Sequence, residues 1–499
     1  MNDPSVKTDK KLKIDYINIA ILVLLGMFFF GIYIIYGTPV YNDSDQYIAM
    51  HVHREPVYPL FLYVIRCITP GHFMSVASIL QSVLCIYASF RFVTYIRKTF
   101  EIKIPGTVIC LLIVITPYII TPLFSKLHIQ MSVAIMSESV AIPVFVLFII
   151  NLHNAFVKCK FKNMLIAFVI SLVLTLTRSQ MIFTFILWFI MAVIMVCMRR
   201  SDEPDDILTN EKIMQKGSSG TKASHNNGRV IISPGADRMM WLIVCVIVLI
   251  SGFALRDVST RAYNYVFNGR YVDSVYSHIN LLANILYVSD RDDMDDNEDD
   301  HLKAVFKEIY DKADSQGYLY NSAGSSLSDR VEYLEEVHDH IKYDCIEYGL
   351  RDIVEAETGI HDYIEYNRIA DGYAGDMVRA LLPEVLGKWA ADAFLLGTRG
   401  LVRNLAVCHP VMYAYVALVL VFAIWSVIYL LRKDIRDKTA WFMVIALLAV
   451  FGNSYSTAIV IMCLSRYMIY GFPVIYTALF LSGRKVFCLI SAGSAKQIV

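Results

Sequence analysis

Charge is what this chain has least of. Asp, Glu, Lys and Arg make up 18% of its 499 residues, where soluble domains carry about a quarter. With 56% of the chain drawn from AVILMFWYC, that excludes an ordinary soluble enzyme. Neither sign is in excess: 45 Lys+Arg stand against 45 Asp+Glu, so no overall field recruits nucleic acid or an anionic surface. Metal-site spacing is missing as well. Of ten cysteines, Cys67, Cys85, Cys110, Cys159, Cys197, Cys245, Cys463 and Cys488 sit in or beside apolar runs, which gives neither a zinc site nor a disulfide framework. No internal repeat is apparent, which counts against a transporter assembled from two matched halves.

Long apolar runs are what the chain has instead. A helix needs roughly 20 apolar residues to cross a hydrocarbon core about 30 Å thick, and residues 17–36 form the first such run. Lys7, Lys10, Lys11 and Lys13 precede it, which predicts a cytoplasmic N-terminus, and the run is too long and lacks the small-residue exit of a cleaved signal peptide. Further runs at 73–96, 104–124, 132–153, 164–177, 180–198, 239–256, 410–431, 440–456 and 465–482 bring the expected count to ten. Their basic flanks alternate: Arg97/Lys98/Lys103, Lys158/Lys160/Lys162, Arg199/Arg200, Arg432/Lys433/Arg436/Lys438 and Arg484/Lys485 all fall on the side of the N-terminus, so both termini are expected in the cytoplasm. The fold class is therefore an all-α polytopic membrane protein of about ten transmembrane helices. Run 164–177 is short, and Thr177-Arg178-Ser179-Gln180 interrupts it before the next; such a break is tolerable only inside protein or against a wet cavity.

The runs divide the chain. Residues 1–199 form an N-terminal transmembrane module with an outer loop at 37–71, and 200–238, with Gly217-Ser218-Ser219-Gly220 and Asn226-Asn227-Gly228, reads as a cytoplasmic linker. A span at 239–256 leads to an outer region, 257–409, and 410–499 holds the last spans and a short cytoplasmic tail. Within the outer region, Leu302, Val305 and Ile309, then Val331, Leu334, Val337 and Ile341, repeat at the spacing of amphipathic helices. Asp290 to Asp300 alternates oxygen donors from Asp293 onward, but it lacks glycine at the sixth position of a calcium loop and has Ala304 at the twelfth, so it reads as a solvated acidic loop. Cys345 and Cys408 are the clear outer-side cysteines, and a bridge between them is left open.

Directly after the first span comes Tyr41-Asn42-Asp43-Ser44-Asp45-Gln46-Tyr47, then Arg54-Glu55-Pro56-Val57-Tyr58-Pro59. Two carboxylates just outside a span, followed by an Arg-Glu pair and a proline-rich turn, are candidates for a site in which a carboxylate takes a proton from a hydroxyl nucleophile. A polar loop with no further role has the same composition. Glu138 lies near the outer start of a span, and an intramembrane carboxylate either marks a site or holds helices together through a cation such as Lys126, His128 or Arg178. Arg178 and Arg466 stand at outer span ends, where an Arg also snorkels to the headgroups.

In order, these segments resemble the polytopic GT-C glycosyltransferases, including the protein O-mannosyltransferase and aminoarabinose-transferase-like groups. Asp43, four residues before Tyr47, matches the acidic residue that follows their first span, with Asp45 as its rival; Arg54-Glu55-Pro56-Val57-Tyr58-Pro59 follows. Ser137-Glu138 is similar to a Ser-Glu that opens one of their helices. Leu176-Thr177-Arg178-Ser179 resembles a Leu-Thr-Arg-Pro break, with Ser179 in place of Pro, and Ser465-Arg466-Tyr467-Met468 with Phe472-Pro473 resembles a late Arg-Tyr…Pro run.

The resemblance implies transfer of a sugar from a polyprenyl-phosphate donor to a glycan, lipid or protein acceptor, with inversion, on the outer face of what is expected to be a bacterial plasma membrane. It makes Asp43 the general base, with Asp45 and Glu138 orienting acceptor or cation, and Arg54, Tyr58, Arg178, Arg466 and Tyr467 binding substrate. No cofactor is expected and no metal is indicated; membrane lipids are the other partners, and nucleic acid is not one. A transporter or flippase of lipid-linked saccharides, or a polysaccharide polymerase or ligase, is the alternative, and a sensor is disfavoured because the linker offers no output module.

Overall fold

The computed structural model describes residues 15–124, 128–198, 234–406 and 412–496. These residues form helices and turns, with no strand among them. In lipid a backbone group has no water to bond, and a helix pairs its own N–H and C=O groups within one segment. Nine helices among the described residues are long and apolar enough to cross a membrane: Tyr16–Tyr36, Phe73–Thr99, Ile104–Phe124, Glu138–Lys158, Ser179–Met198, Arg238–Asn268, Tyr413–Lys433, Lys438–Ala458 and Ser465–Ala492. The chain is an all-α polytopic membrane protein. The N-terminal lysines, Arg199/Arg200, nearly all of the linker, Lys126 and Cys408 lie outside the described residues.

The count is nine because the run expected at 164–177 is a helix of only 15 residues, Phe161–Thr175. It rises about 22 Å at 1.5 Å per residue, less than the hydrocarbon thickness. It nevertheless returns the chain to the end from which the preceding helix set out. Arg178, just past it, meets Glu138, the first residue of Glu138–Lys158, at 2.7 Å. The short helix is held from the side. Trp188 is fully buried, and its indole N–H donates to the Met164 carbonyl at 2.8 Å, giving a buried donor the partner it needs.

Region 257–409 has a core of its own. Leu302, Val305 and Ile309 pack with Val331, Leu334, Val337 and Ile341, the two stripes read from the sequence. Local capping fixes where these helices start. The Asp299 carboxylate accepts from the backbone of His301 and Leu302, opening Asp300–Ser315, and Ser326 and Asp329 form a capping box at the head of Leu327–His340. The expected boundary at 256/257 does not interrupt the helix, which runs on to Asn268.

A 44-residue helix, Tyr363–Ala406, ties this region to the bundle. Ala370, Ala374, Met377 and Leu381 belong to the outer core, whereas Leu401, Val402 and Leu405 belong to the membrane core. Gly400 permits a close crossing there, since a Cβ in its place would lie 2.9 Å from the Cys463 sulfur, the small-residue logic of membrane helix packing. Beside it, Glu335 of Leu327–His340 accepts from Arg399 Nη2 at 2.8 Å and from Arg403 Nη2 at 2.8 Å, an ion triad between outer region and bundle.

Candidate functional site

The segment 37–56 is folded against the break at 176–178. Ser44 Oγ receives the Tyr41 backbone N–H and donates to the Ile135 carbonyl at 2.8 Å, which fixes the short helix Ser44–Ile48. The Val57 N–H donates to the Leu176 carbonyl at 2.9 Å, pairing an acceptor that the end of the short membrane helix leaves without an intrahelical donor. Arg178 follows in extended conformation, before a 3-10 turn over Ser179–Ile182. Two chain reversals of opposite origin thus come together at one end of the bundle.

A cavity of about 410 Å³ opens between them. Asp43 and Arg54 from segment 37–56, Arg178 and Gln180 from the break, and Arg466 and Tyr467 from the last span all line it. Asp43 is held from two directions: Arg54 Nη2 donates to Oδ1 at 2.9 Å, and Arg466 Nη1 donates to Oδ2 at 3.2 Å. Burial alone would raise this carboxyl, but the two guanidiniums outweigh it and keep it below the usual aspartate range, so it is ionised at neutral pH. Arg54 Nε is also bonded to Gln46 Oε1 at 2.9 Å. The guanidiniums of Arg178 and Arg466 lie 4.7 and 4.8 Å from the Tyr467 ring centroid, a cation–π arrangement that orders both.

Glu138 stands behind this layer. It is fully buried, lies outside the cavity lining, and reaches the site through Arg178. Of its candidate partners among the described residues, Arg178 is the one at ion-pair distance, and His128 is bonded to the Pro122 carbonyl. Asp45 is exposed and away from the cavity. Tyr58 is fully buried, receives a hydrogen bond from Gln81 at 2.7 Å and likewise does not line it. Glu55 is drawn to the long helix by Arg256, and burial raises its carboxyl.

Region 257–409 supplies a wall for which the sequence provided no motif: Tyr276, Asn280, Asp339, Lys342, Tyr343, Glu347 and Tyr363. His53, pushed down to about 3 by burial and hence neutral, bonds the Ser274 carbonyl through Nδ1 and the Tyr363 hydroxyl through Nε2, both at 2.8 Å. It joins segment 37–56 to that wall. Val460, Ile461, Met462 and Leu464 form an apolar side. The chain matches no family model, no curated protein and no solved structure. The site's own groups are the guide to its chemistry.

Those groups offer anion-binding donors, one ionised carboxylate between two of them, and a partly apolar wall. Among the described residues no group of three His, Cys, Asp or Glu has metal-holding geometry. Part of the acidic run is taken up in ion pairs: Asp290 with Lys388, Arg291 with Asp311, and Asp295 with Lys307, each at 2.7 Å.

Proposed function

We propose that this protein is an integral membrane glycosyltransferase of GT-C type, transferring a sugar from a polyprenyl-phosphate donor to an acceptor hydroxyl at the outer face of the membrane. The observation that carries the reading is Asp43 held between Arg54 and Arg466 in the cavity. Such a group of charges suits a reaction in which a hydroxyl loses a proton as a phosphate leaves.

A carboxylate gripped by two guanidiniums is a weak base. A donor phosphate would compete for the same Arg54 and Arg466 forks, which bind phosphate as readily as carboxylate. As they turn to the phosphate, Asp43 loses its charge partners and gains basicity at the moment the donor is in place. The acceptor oxygen then bonds to the anomeric carbon from the face opposite the phosphate, its proton passes to Asp43, and the electron pair of the breaking carbon–oxygen bond leaves on the lipid phosphate. The single displacement inverts the anomeric carbon. Arg466 and Arg178 stabilise the charge that collects on the departing group. Arg178 keeps its orientation because Glu138 accepts from it at 2.7 Å and Ser137 at 3.1 Å.

The apolar wall of Val460, Ile461, Met462 and Leu464 fits the first isoprene units of a lipid carrier, and the tyrosines of 257–409 fit an acceptor approaching from the other direction. The test is to feed purified protein a radiolabelled polyprenyl-phosphate sugar, and to profile lipid-linked sugars and surface glycans in a deletion strain by mass spectrometry. Accumulation of one donor together with loss of one glycan supports the reading and identifies both substrates. Unchanged pools with no transfer from any lipid-linked sugar overturn it.

A further inference from the structure

Between Leu327–His340 and Tyr348–Thr358 the helix widens into a seven-residue π-turn, Ile341–Glu347. Such turns are rare and recur at functional sites, and the widening re-aims side chains that regular winding would place elsewhere. Here it carries Lys342 to the cavity. Lys342 is 7% exposed. Its Nζ donates to the Tyr343 hydroxyl at 3.2 Å and lies 4.9 and 4.4 Å from the ring centroids of Tyr276 and Tyr343.

No carboxylate among the described residues reaches ion-pair distance of that ammonium. Glu347, on the same turn, accepts from the Tyr276 hydroxyl, and Asp339 is turned to His338. An ammonium has three donors, and this one has a single hydroxyl and two ring faces to meet them. Buried cations are ordinarily paired. Lys342 shares its cavity with Arg54, Arg178 and Arg466, each of which has a carboxylate partner, so an anion entering there meets one cation that need give up no ion pair.

We infer that Lys342 is a phosphate-binding residue of this cavity, so that region 257–409 completes the site for a phosphate-bearing lipid as well as covering it. The inference rests on reading the donor as a lipid phosphate. The role is distinct from that of the arginines. Arg54 and Arg466 must exchange Asp43 for the ligand and Arg178 stays tied to Glu138, whereas Lys342 is available from the outset and would set the ligand's first hold on the site.

The test is binding, without transfer, by the full-length protein in phosphatidylcholine nanodiscs, with a fluorescent polyprenyl phosphate as probe. Lys342→Met keeps length and apolar contact but removes the charge, and should weaken binding about tenfold, the scale of one charge-assisted contact. Lys342→Arg should restore most of it. The parent should also show a pH limb that Lys342→Arg lacks. Burial brings Lys342 down to about 8, against Asp339 and Glu347 on its own helix and with Arg54, Asp43 and His53 facing it from segment 37–56. Parent affinity should therefore fall between pH 7 and pH 9, while the probe's own phosphate becomes, if anything, more negative.

Binding by Lys342→Met equal to the parent overturns the inference, and so does a matching pH limb in Lys342→Arg. Displacement of the probe by inorganic phosphate, or by phosphatidylglycerol in the disc, at the concentration at which unlabelled polyprenyl phosphate displaces it, overturns the lipid-linked ligand. The two readings separate cleanly. If the parent transfers no sugar but the Met and Arg variants behave as stated, the glycosyltransferase reading falls and Lys342 stands; if the parent transfers sugar and Lys342→Met binds normally, the reverse holds.

Discussion

Asp43 and Arg466 stand 423 residues apart in the chain and 3.2 Å apart in the structure. The contact brings the segment after the first span to the head of the last one, and Arg54 completes it from the other carboxylate oxygen. A surface ion pair contributes little. This one is largely withdrawn from solvent and lies in a cavity, where its partners are open to competition from a charged ligand.

Glu138 is expected to act through Arg178. Breaking a buried pair by removing one partner costs about 3–5 kcal/mol, because the other charge is left stranded, and removing both costs much less. Glu138→Gln should therefore lower the thermal stability of the detergent-solubilised protein sharply, and Glu138→Gln combined with Arg178→Gln should recover most of it. The double variant should remain without transfer activity, since the phosphate ligand is gone. Parent-like stability of Glu138→Gln would show that the pair is not a buried constraint.

The Glu335 triad predicts an acid limb of stability. Burial pushes the Glu335 carboxyl up, but Arg403 and Arg399 more than reverse this and hold it below the ordinary glutamate value of 4.5. A carboxyl with a depressed folded value stabilises the protein fully above its unfolded value and loses that contribution as pH falls through the folded one. Anchoring of the outer region, read by hydrogen exchange along Leu327–His340, should weaken below about pH 4.5 in the parent. In Glu335→Gln it should already be weak at neutral pH, and it should not fall further through this triad.

Much of the site could be read from the sequence, and the part that could not has a physical reason. Asp43, Arg54, Arg178 and Arg466 each interrupt or border an apolar run, where a charge has to be accounted for, and all four reach the cavity. Asp45 and Tyr58 share those segments but not its lining: Asp45 is one of five residues in the short helix Ser44–Ile48 and points outward, and Tyr58 turns inward to Gln81. Lys342 was hidden because the stripe Val331, Leu334, Val337, Ile341 shows which face is buried and says nothing of a charge beside it. A signal was present. The buried positions continue as Cys345, Ile346 and Leu350, a slip in register that regular α-winding does not produce and the π-turn does. The tenth run is short, a helix of 15 residues that falls below the usual length of a span yet carries the chain from one end of the bundle to the other.

The acidic run 290–300 should be dispensable for chemistry. Only Asp290 and Asp295 meet Lys388 and Lys307, exposed pairs that contribute about 0–1 kcal/mol each, and Asp292, Asp296 and Glu298 lie outside the cavity lining. Replacing Asp292, Asp296 and Glu298 by amides should leave transfer unchanged at saturating donor. Loss of activity in a partial variant that calcium restores would show the run to be a metal site.

Topology provides a further check. Single cysteines at Ser325 in region 257–409 and at Asp434 between the Tyr413–Lys433 and Lys438–Ala458 helices, in a background without Cys408 and the exposed Cys67, Cys197 and Cys488, should label from opposite sides of the membrane. Only Ser325→Cys should react with an impermeant reagent in intact cells. Labelling of Asp434→Cys alone from outside would place the cavity on the wrong face for a lipid-linked donor used outside the cell, and labelling of both would contradict the alternation of the spans.

The most direct measurement is the rate of sugar transfer by Asp43→Asn set beside its donor affinity. The amide keeps the size of the side chain but removes the proton acceptor. Transfer from a radiolabelled polyprenyl-phosphate sugar should fall by roughly 10²–10⁴-fold, while donor binding persists or tightens because Arg54 and Arg466 are released. Asp45→Asn should cost far less. Arg178→Ala and Arg466→Ala should lose donor affinity as well as rate, since an Arg fork holds phosphate in ground and transition states alike. Transfer by Asp43→Asn at the parent rate, with donor affinity unchanged, would contradict the assignment of this cavity as the place where the hydroxyl is activated.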